Sequence, residues 1–298
     1  MIDLDATDFE LHGGQEQRCC HGYYDEYCYL PLLYFRGRDP VMVRLCAAGG
    51  DPAAGVAEDP EALTRRLRDR WPDTRIVLRT DSGFCRDSIM SWCERTEGVD
   101  YVIGVARNAR LEAKTARQMR RSRSRAAVTG VKSRRFRSFR HRTRNSWSRT
   151  RRVIGRAGAL PGRGAPKPNA RFIVTPLPAS EHPARRLYEE FHCAGGGDAE
   201  NRVKDLRTGL SADRCSSNLF SANALRLRFS AFAHILHNRI AAAAGGKPAG
   251  AAPETLRLRL LKIGARVRMS VRRIHFAMSG ACPDRQAFAA AWMNPAPD

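Results

Sequence analysis

A mixed α/β fold is the expectation for this 298-residue chain, and three observations carry it. Short alternating or apolar runs of strand type fill the first 45 residues. Helical apolar stripes then alternate with buried-strand runs as far as Val105. Hydrophobic residues make up 43% of the chain, which supports a packed core and argues against wholesale disorder.

The elements follow in order. Ile2-Asp3-Leu4-Asp5-Ala6-Thr7 alternates apolar and polar residues as a half-buried strand does, and Gly13-Gly14 marks a turn. Tyr23 to Phe35 reads as a long strand, and Val41 to Leu45 as a third after the turn at residues 37–40, giving an antiparallel meander. Asp59-Pro60-Glu61 is a helix start, with Leu63, Leu67 and Trp71 as its apolar stripe and Pro72 as its stop. Arg75 to Arg79 is a short buried strand, Ser88 to Arg95 a helix and Val99 to Val105 another strand. Three strands followed by alternating helix and strand is the order of a ribonuclease H-like fold, here by analogy of pattern.

Beyond residue 106 the signals change. Strands are expected near 134–141, 150–156 and 171–175, with a Gly/Pro-rich loop at 159–168. Helices are expected at about 182–190, 199–209 and 218–243. Residues 254–277 suit a short helix and then an amphipathic strand or edge ribbon. The expected division is a core begun by residues 1–106, a basic, mostly β insertion domain over 107–180, and the second part of the core over 181–298.

The net charge is +22, and a protein that basic meets polyanions, nucleic acid first among them. The charge is concentrated. Residues 1–106 hold 12 basic and 19 acidic residues, whereas 107–156 hold 19 basic residues and a single acid, Glu112. A charge run is commonly a solvated tail. This one is internal and interleaved with Phe136, Phe139, Trp147, Val153 and Ile154, which favours a folded insertion with a basic face. Residues 114–133 are also readable as a mobile loop.

Nine scattered cysteines without a CxxC give neither a disulfide framework nor a zinc spacing, so reduced thiols are expected. The acidic start MIDLDATDFE is no signal peptide, and the apolar stretch from Phe229 to Gly245 is interrupted by His234, His237 and Arg239. No membrane association is expected, and a cytoplasmic, nucleoid-associated protein is.

Three carboxylates stand where chemistry could use them. Asp5 lies in the first strand, and Asp81 directly follows the buried strand, in Thr80-Asp81-Ser82-Gly83. In a ribonuclease H-like sheet these strands are neighbours, so the two side chains could meet. Glu200 would complete the set from a helix on which positions 200, 204 and 207 share a face, placing Lys204 and Arg207 beside it. Two divalent cations held by such carboxylates would activate water and stabilise the leaving oxygen of a phosphodiester. The ordinary alternatives are a strand-end Asp, a DSG turn and a Glu200–Lys204 surface ion pair.

At these residues the chain becomes recognisable. The segments LDATDFELHGGQE (4–16), HGYYDEYCYLPLLYF (21–35), LRTDSGF (78–84), MSWCE (90–94), VDYVIGVARNARL (99–111), SWSRTRRV (146–153), AENRVKDL (199–206) and RLRLLKIGARVRMSVRRIHFAMSGACP (257–283) resemble bacterial insertion-sequence transposases of the DDE type. Within the four-type superfamily they are most similar to the thirteen-eighty group. The resemblance implies a ribonuclease H-like catalytic core interrupted by a mostly β insertion. It implies cut-and-paste DNA transposition through hairpin intermediates with two Mg²⁺ ions, for which Mn²⁺ is the expected substitute. The metal ligands and catalytic residues then fall on Asp5, Asp81 and Glu200. DNA, as transposon ends and target, would be the partner of a homodimer on paired ends. DNA contacts are expected from Arg149, Arg151, Arg152, Arg202, Lys204 and Arg207, and from Trp147, placed to stack on a flipped base. A core position in the insertion sheet is the alternative for Trp147.

Two departures from the family bear on activity. Its glutamate helix carries Tyr-x2-Arg-x3-Glu-x6-Lys; here His192 holds the Tyr place, the Arg place falls on Gly195 or Gly196, and Arg207 holds the Lys place. The chain also starts three residues before Leu4, whereas family members carry an upstream segment for transposon ends. A truncated frame, a decayed copy or a misplaced start codon is therefore expected, and a catalytically impaired remnant that only binds DNA is the alternative function.

Overall fold

The computed structural model describes residues 1–293 except Tyr23, residues 51–55, Ala57 and Arg163, and omits the side chains of residues 193–198. The first half holds β1 (Ile2–Ala6), β2 (Phe9–Glu10), β3 (Cys19–His21), β4 (Glu26–Tyr29), β5 (Leu32–Arg36) and β6 (Asp39–Arg44). Next come α1 (Glu58–Arg70), β7 (Ile76–Thr80), α2 (Asp87–Arg95), β8 (Val99–Val105) and α3 (Ala109–Thr129). The chain continues through β9 (Ser133–His141), β10 (Arg151–Leu160), β11 (Lys167–Thr175), α4 (Ala184–Arg186), α5 (Ala194–Lys204) and α6 (Phe220–Ala244). It ends with α7 (Pro253–Leu256), β12 (Ala265–Met269), β13 (Ile274–Met278) and α8 (Arg285–Met293). Single π-helical stretches, Leu187–Cys193 and Asp205–Gly209, flank α5. The described fold is mixed α/β with one large mixed sheet.

The chain forms two compact units. The first comprises Met1–Ala6, Tyr34–Gly37 and Gly50–Glu200. Its sheet runs β5-β1-β7-β8-β11-β10-β9. The pairs β1–β7 and β7–β8 are parallel, and β8–β11, β11–β10 and β10–β9 are antiparallel. The basic segment is thus part of the same sheet as the core: its three strands continue outward from β8. Val102, Ile154 and Ile173 of three neighbouring strands pack with Leu177, Leu187 and Tyr188, which seats the Leu187–Cys193 stretch on this sheet.

Residues 114–133, readable as a loop, are mostly helix. Asn108 caps α3 by accepting from the Leu111 N–H at 3.0 Å, and Gly130 ends it in the left-handed region at φ 64°. Leu111, Thr115, Ser122 and Ala126 form its buried face, and Ser122 Oγ donates to the Ala157 carbonyl at 2.8 Å. Arg117, Arg120, Arg121, Arg123 and Arg125 are exposed. The insertion is therefore three long strands with one long helix packed on them.

The second unit comprises Thr7–Leu33, Arg38–Gly49 and Asn201–Asp298. It contains a three-stranded sheet, β2-β4-β3, and the long helix α6. The Phe220 N–H at the start of α6 donates to Glu16 Oε2 at 2.9 Å, so a carboxylate from a distant loop meets the positive end of that helix. The ribbon of β12 and β13 is exposed throughout.

Two element expectations are corrected. The single strand over 23–35 is divided, with Leu30-Pro31 between β4 and β5, because proline offers no N–H to a ladder. Trp71 falls just beyond α1 and is 58% exposed instead of completing its apolar stripe.

Candidate functional site: an acidic centre on two parallel strands

The parallel register of β1 and β7 pairs Asp3 with Arg79 and Leu4 with Thr80. One further step brings Asp5 beside Asp81. Side chains alternate along a strand, so Asp3 and Asp5 share a face, as do Arg79 and Asp81. Asp3, Leu4, Asp5, Arg79, Thr80, Asp81, His192 and Ala199 line one cavity of about 100 Å³.

Each carboxylate has a distinct local hold. Asp5 Oδ1 accepts from the Ala6 N–H at 2.9 Å. Asp81 caps the short 3-10 turn Ser82–Phe84, accepting from the Gly83 N–H at 2.9 Å. Glu200 is exposed near the end of α5. The Asp5 carboxyl is pushed up to about 6, first by burial and then by the charge of Asp81, with Glu200 and Asp3 adding and the Ala6 bond opposing. The negative charge crowding Asp5 is what a bound cation would relieve. Oxygen donors of this type suit a hard divalent ion. Among the described residues, however, no three His, Cys, Asp or Glu side chains are drawn together tightly enough to hold a metal. Asp5 and Asp81 line the same cavity, and Glu200 is within electrostatic reach of Asp5.

Asp3 and Asp8, the other acids near the first strand, are engaged elsewhere. Asp3 is bridged by Arg79 at 2.6 Å. Asp8, in the second unit, is bridged by Arg207 at 2.8 Å.

The expected DNA contacts divide by exposure: three of the side chains are buried and the others are half-buried or exposed. Trp147 is only 4% exposed, edge-on to His141 at 5.7 Å and beneath the Arg151 guanidinium at 5.8 Å. It presents no stacking face in this structure. The Arg151 side chain is 2% exposed and binds Asp87 at 2.6 Å, Glu94 at 2.7 Å and Ser91 at 3.0 Å. Arg152 is buried and donates to Ser138 Oγ and to the Leu177 and His182 carbonyls. These three side chains build the insertion instead of facing a ligand. Arg149 is exposed, 3.4 Å from Glu94. Lys204 is exposed and Arg202 half-buried, while Arg207 is tied to Asp8 and, at 3.4 Å, to Asp213.

The Arg151 cluster joins β10 to α2. Burial works against the charges of Asp87 and Glu94. The Ser148 and Arg151 bonds to Asp87, and the Arg151 and Tyr101 bonds to Glu94, nonetheless hold both below the usual carboxylate range. Ser148 extends this clamp, its N–H donating to Asp87 Oδ1 at 2.9 Å.

Sequence reading missed Gly104 altogether. A Cβ on this β8 residue would stand 2.8 Å from the Ser82 nitrogen and 2.9 Å from the Asp81 carbonyl carbon. Only glycine lets the Asp81 turn lie this close to β8. The single glycine inside an otherwise bulky strand, Val102-Ile103-Gly104-Val105, was the available signal.

A mixed sheet whose parallel neighbours β1 and β7 carry Asp5 and lead into Asp81 frames the site. A family model described as transposase DDE domain, group 1, matches residues 1–295, and the chain belongs to that family. No curated protein matches. Among solved structures, the chain is similar to piggyBac transposase in a synaptic complex with hairpin DNA, at 13% identity and a TM-score of 0.43. That likeness covers 80% of this chain and 47% of the other, so the chain spans about half of that protein's length. DDE transposases generally use divalent metal ions. Among the described residues no helix is long and apolar enough to cross a membrane.

Proposed function

We propose that this chain is the catalytic region of a cut-and-paste DNA transposase, in which Asp5, Asp81 and Glu200 hold two Mg²⁺ ions. The observation that carries the reading is the placement of Asp5 beside Asp81 at the head of two parallel strands, within electrostatic reach of Glu200. When bound, the ions would supply a metal-activated hydroxyl nucleophile and stabilise the leaving oxygen of the scissile phosphodiester. Asp5 and Asp81 orient the site from the rigid sheet, and Glu200 approaches from the helix. The exposed cations of α3 and β9, with Arg149, bind the DNA backbone. Membership of the thirteen-eighty group, and a homodimer on paired ends, belong to the same reading through the resemblance.

A second reading is a remnant that binds DNA without cutting it, favoured by glycine at the family's Arg place, Gly195 or Gly196. Mn²⁺ titration by calorimetry, with metal-dependent nicking of supercoiled plasmid, separates the two. The transposase reading expects saturable binding and nicking, both lost in Asp81→Ala. Equal metal binding by wild type and Asp81→Ala would reject the site, and metal binding without nicking would favour the remnant.

A further inference from the structure

Arg79 makes three bonds within the cavity that Asp5 and Asp81 line. Its Nε donates to Asp3 Oδ1 at 2.6 Å and its Nη2 to Asp3 Oδ2 at 2.7 Å, a two-pronged pair on neighbouring strands. Its Nη1 donates to the Phe191 carbonyl at 2.7 Å. Phe191 lies in the π-helical stretch Leu187–Cys193 that runs directly into α5, which carries Glu200. A π-helical turn departs from the ordinary helical ladder, and such turns recur at functional sites. Here the Arg79 guanidinium meets one of its carbonyls. The pair is almost dry, with side-chain exposures of 11% for Arg79 and 8% for Asp3.

We propose that the Asp3–Arg79 pair is the positioning device of the acidic centre. This inference rests on the reading of Asp5, Asp81 and Glu200 as metal ligands. Both members precede a ligand by two residues on the same strand face, so the pair fixes the β1–β7 register one row below the row that binds metal. A slip by one residue would turn Asp5 and Asp81 to opposite faces. The third bond ties the same row to the helical segment leading to Glu200. Pairing also removes Asp3 from competition: its carboxylate is held by a fork of N–H groups, and Asp5 and Asp81 are left as the acids open to a cation. The three bonds of the guanidinium go to Asp3 and Phe191, so Arg79 acts through these two residues.

The test compares Asp3→Asn, Arg79→Lys, Arg79→Met and the exchanged pair Asp3→Arg with Arg79→Asp in the full chain. Mn²⁺ affinity is measured at a temperature where each variant is folded, and metal-free melting is followed in parallel. Supporting groups around a metal site change affinity by about 10–100-fold when removed. The expected result is such a loss for Asp3→Asn and for Arg79→Met. Arg79→Lys should be intermediate, because an ammonium keeps the charge but not the planar fork. The exchanged pair should recover part of the loss. Wild-type Mn²⁺ affinity in Asp3→Asn and Arg79→Met, with only melting lowered, would overturn the positioning role while Asp81→Ala still abolishes binding. If Asp81→Ala also binds like wild type, the metal site itself falls and this inference with it. Should Arg79→Met fail to fold, Asp3→Asn and Arg79→Lys decide the question.

Discussion

Gly104→Ala is a one-methyl change whose consequence can be worked from distances. The added carbon would lie 2.8 Å from the Ser82 nitrogen, 2.9 Å from the Asp81 carbonyl carbon and 3.3 Å from its Cα. Ordinary contact begins near 3.4 Å, so the turn or the strand must yield by about 0.6 Å. Both atoms in the closest contacts are backbone, and no side-chain rotation relieves them. Overpacking of this kind costs about 1–3 kcal/mol. For a chain of this size that corresponds to a melting point lower by roughly 2–4 °C per kcal/mol. The displaced group is the Asp81 turn, whose geometry depends on the Gly83 N–H bond to Asp81. Mn²⁺ affinity should therefore fall about tenfold or more, in the range seen when supporting residues of metal sites are altered. Scanning calorimetry and Mn²⁺ titration on the same preparations read both effects. A melting point within about 1 °C of wild type together with unchanged Mn²⁺ affinity would refute the argument that Gly104 sets the position of Asp81.

Other perturbations have equally definite outcomes. Arg151→Met removes the partner of Asp87 and Glu94 and should cost about 3–5 kcal/mol in urea unfolding at neutral pH; a loss below about 1 kcal/mol would show the cluster to be dispensable. Because both carboxylates are held low in the folded protein, their contribution is present above about pH 4 and is lost as pH falls through their folded values. The wild-type advantage over Arg151→Met should shrink in that acid range, and a constant gap down to about pH 2 would contradict it. His234, buried on α6 and pushed down to about 4, chiefly by burial, faces Asp39, Arg38, His237 and Arg202. The unfolded chain binds its proton below about pH 6.5 while the folded one does not, so this group should remove up to ~3 kcal/mol between about pH 6.5 and 4. His234→Asn should flatten that part of the stability curve, and an unchanged slope would count against it. For DNA, neutralising exposed Arg121, Arg137 or Arg149 should each reduce the salt slope of binding by about one, measured by anisotropy between 50 and 200 mM salt; salt-insensitive binding would remove the basic face from the account.

The central strands were legible because their evidence is periodic. Ile2 to Thr7 alternates and Ile76 to Leu78 is a buried run, so both strands could be placed, whereas the register that sets Asp5 beside Asp81 could not be read from periodicity. The α3 helix was harder to read because its buried face is Leu111, Thr115, Ser122 and Ala126, mostly small or hydroxylated residues under a cover of arginines. Charge therefore masked the period. The inward and outward arginines of β10 could not be sorted by composition either. Arg149 and Arg151 differ by two positions, yet one is 60% exposed and the other 2%, a distinction made by where Asp87 and Glu94 on α2 happen to meet the strand. The Asp3–Arg79 pair needed the exact β1–β7 pairing, which periodicity alone does not supply.

The buried arginines give the basic insertion a consequence for the acidic centre. Within the first unit, Arg151 joins β10 to α2, and α2 follows the Asp81 turn after only two residues, Cys85 and Arg86. β11 joins β8 through the register that pairs Gly104, the residue beneath that turn, with Ile173. The exposed cations of α3 and β9 are therefore carried by a frame hydrogen-bonded to the strand and clamped to the helix on either side of Asp81. A DNA backbone held on those cations would have its position fixed relative to Asp5 and Asp81 by sheet and buried ion pairs, with no flexible linker between charge and carboxylate. A solvated basic tail would supply the same attraction and none of this geometry. That contrast explains why two of the three arginines in the Arg149–Arg152 run are spent inside the protein: they convert a charge run into a placed surface.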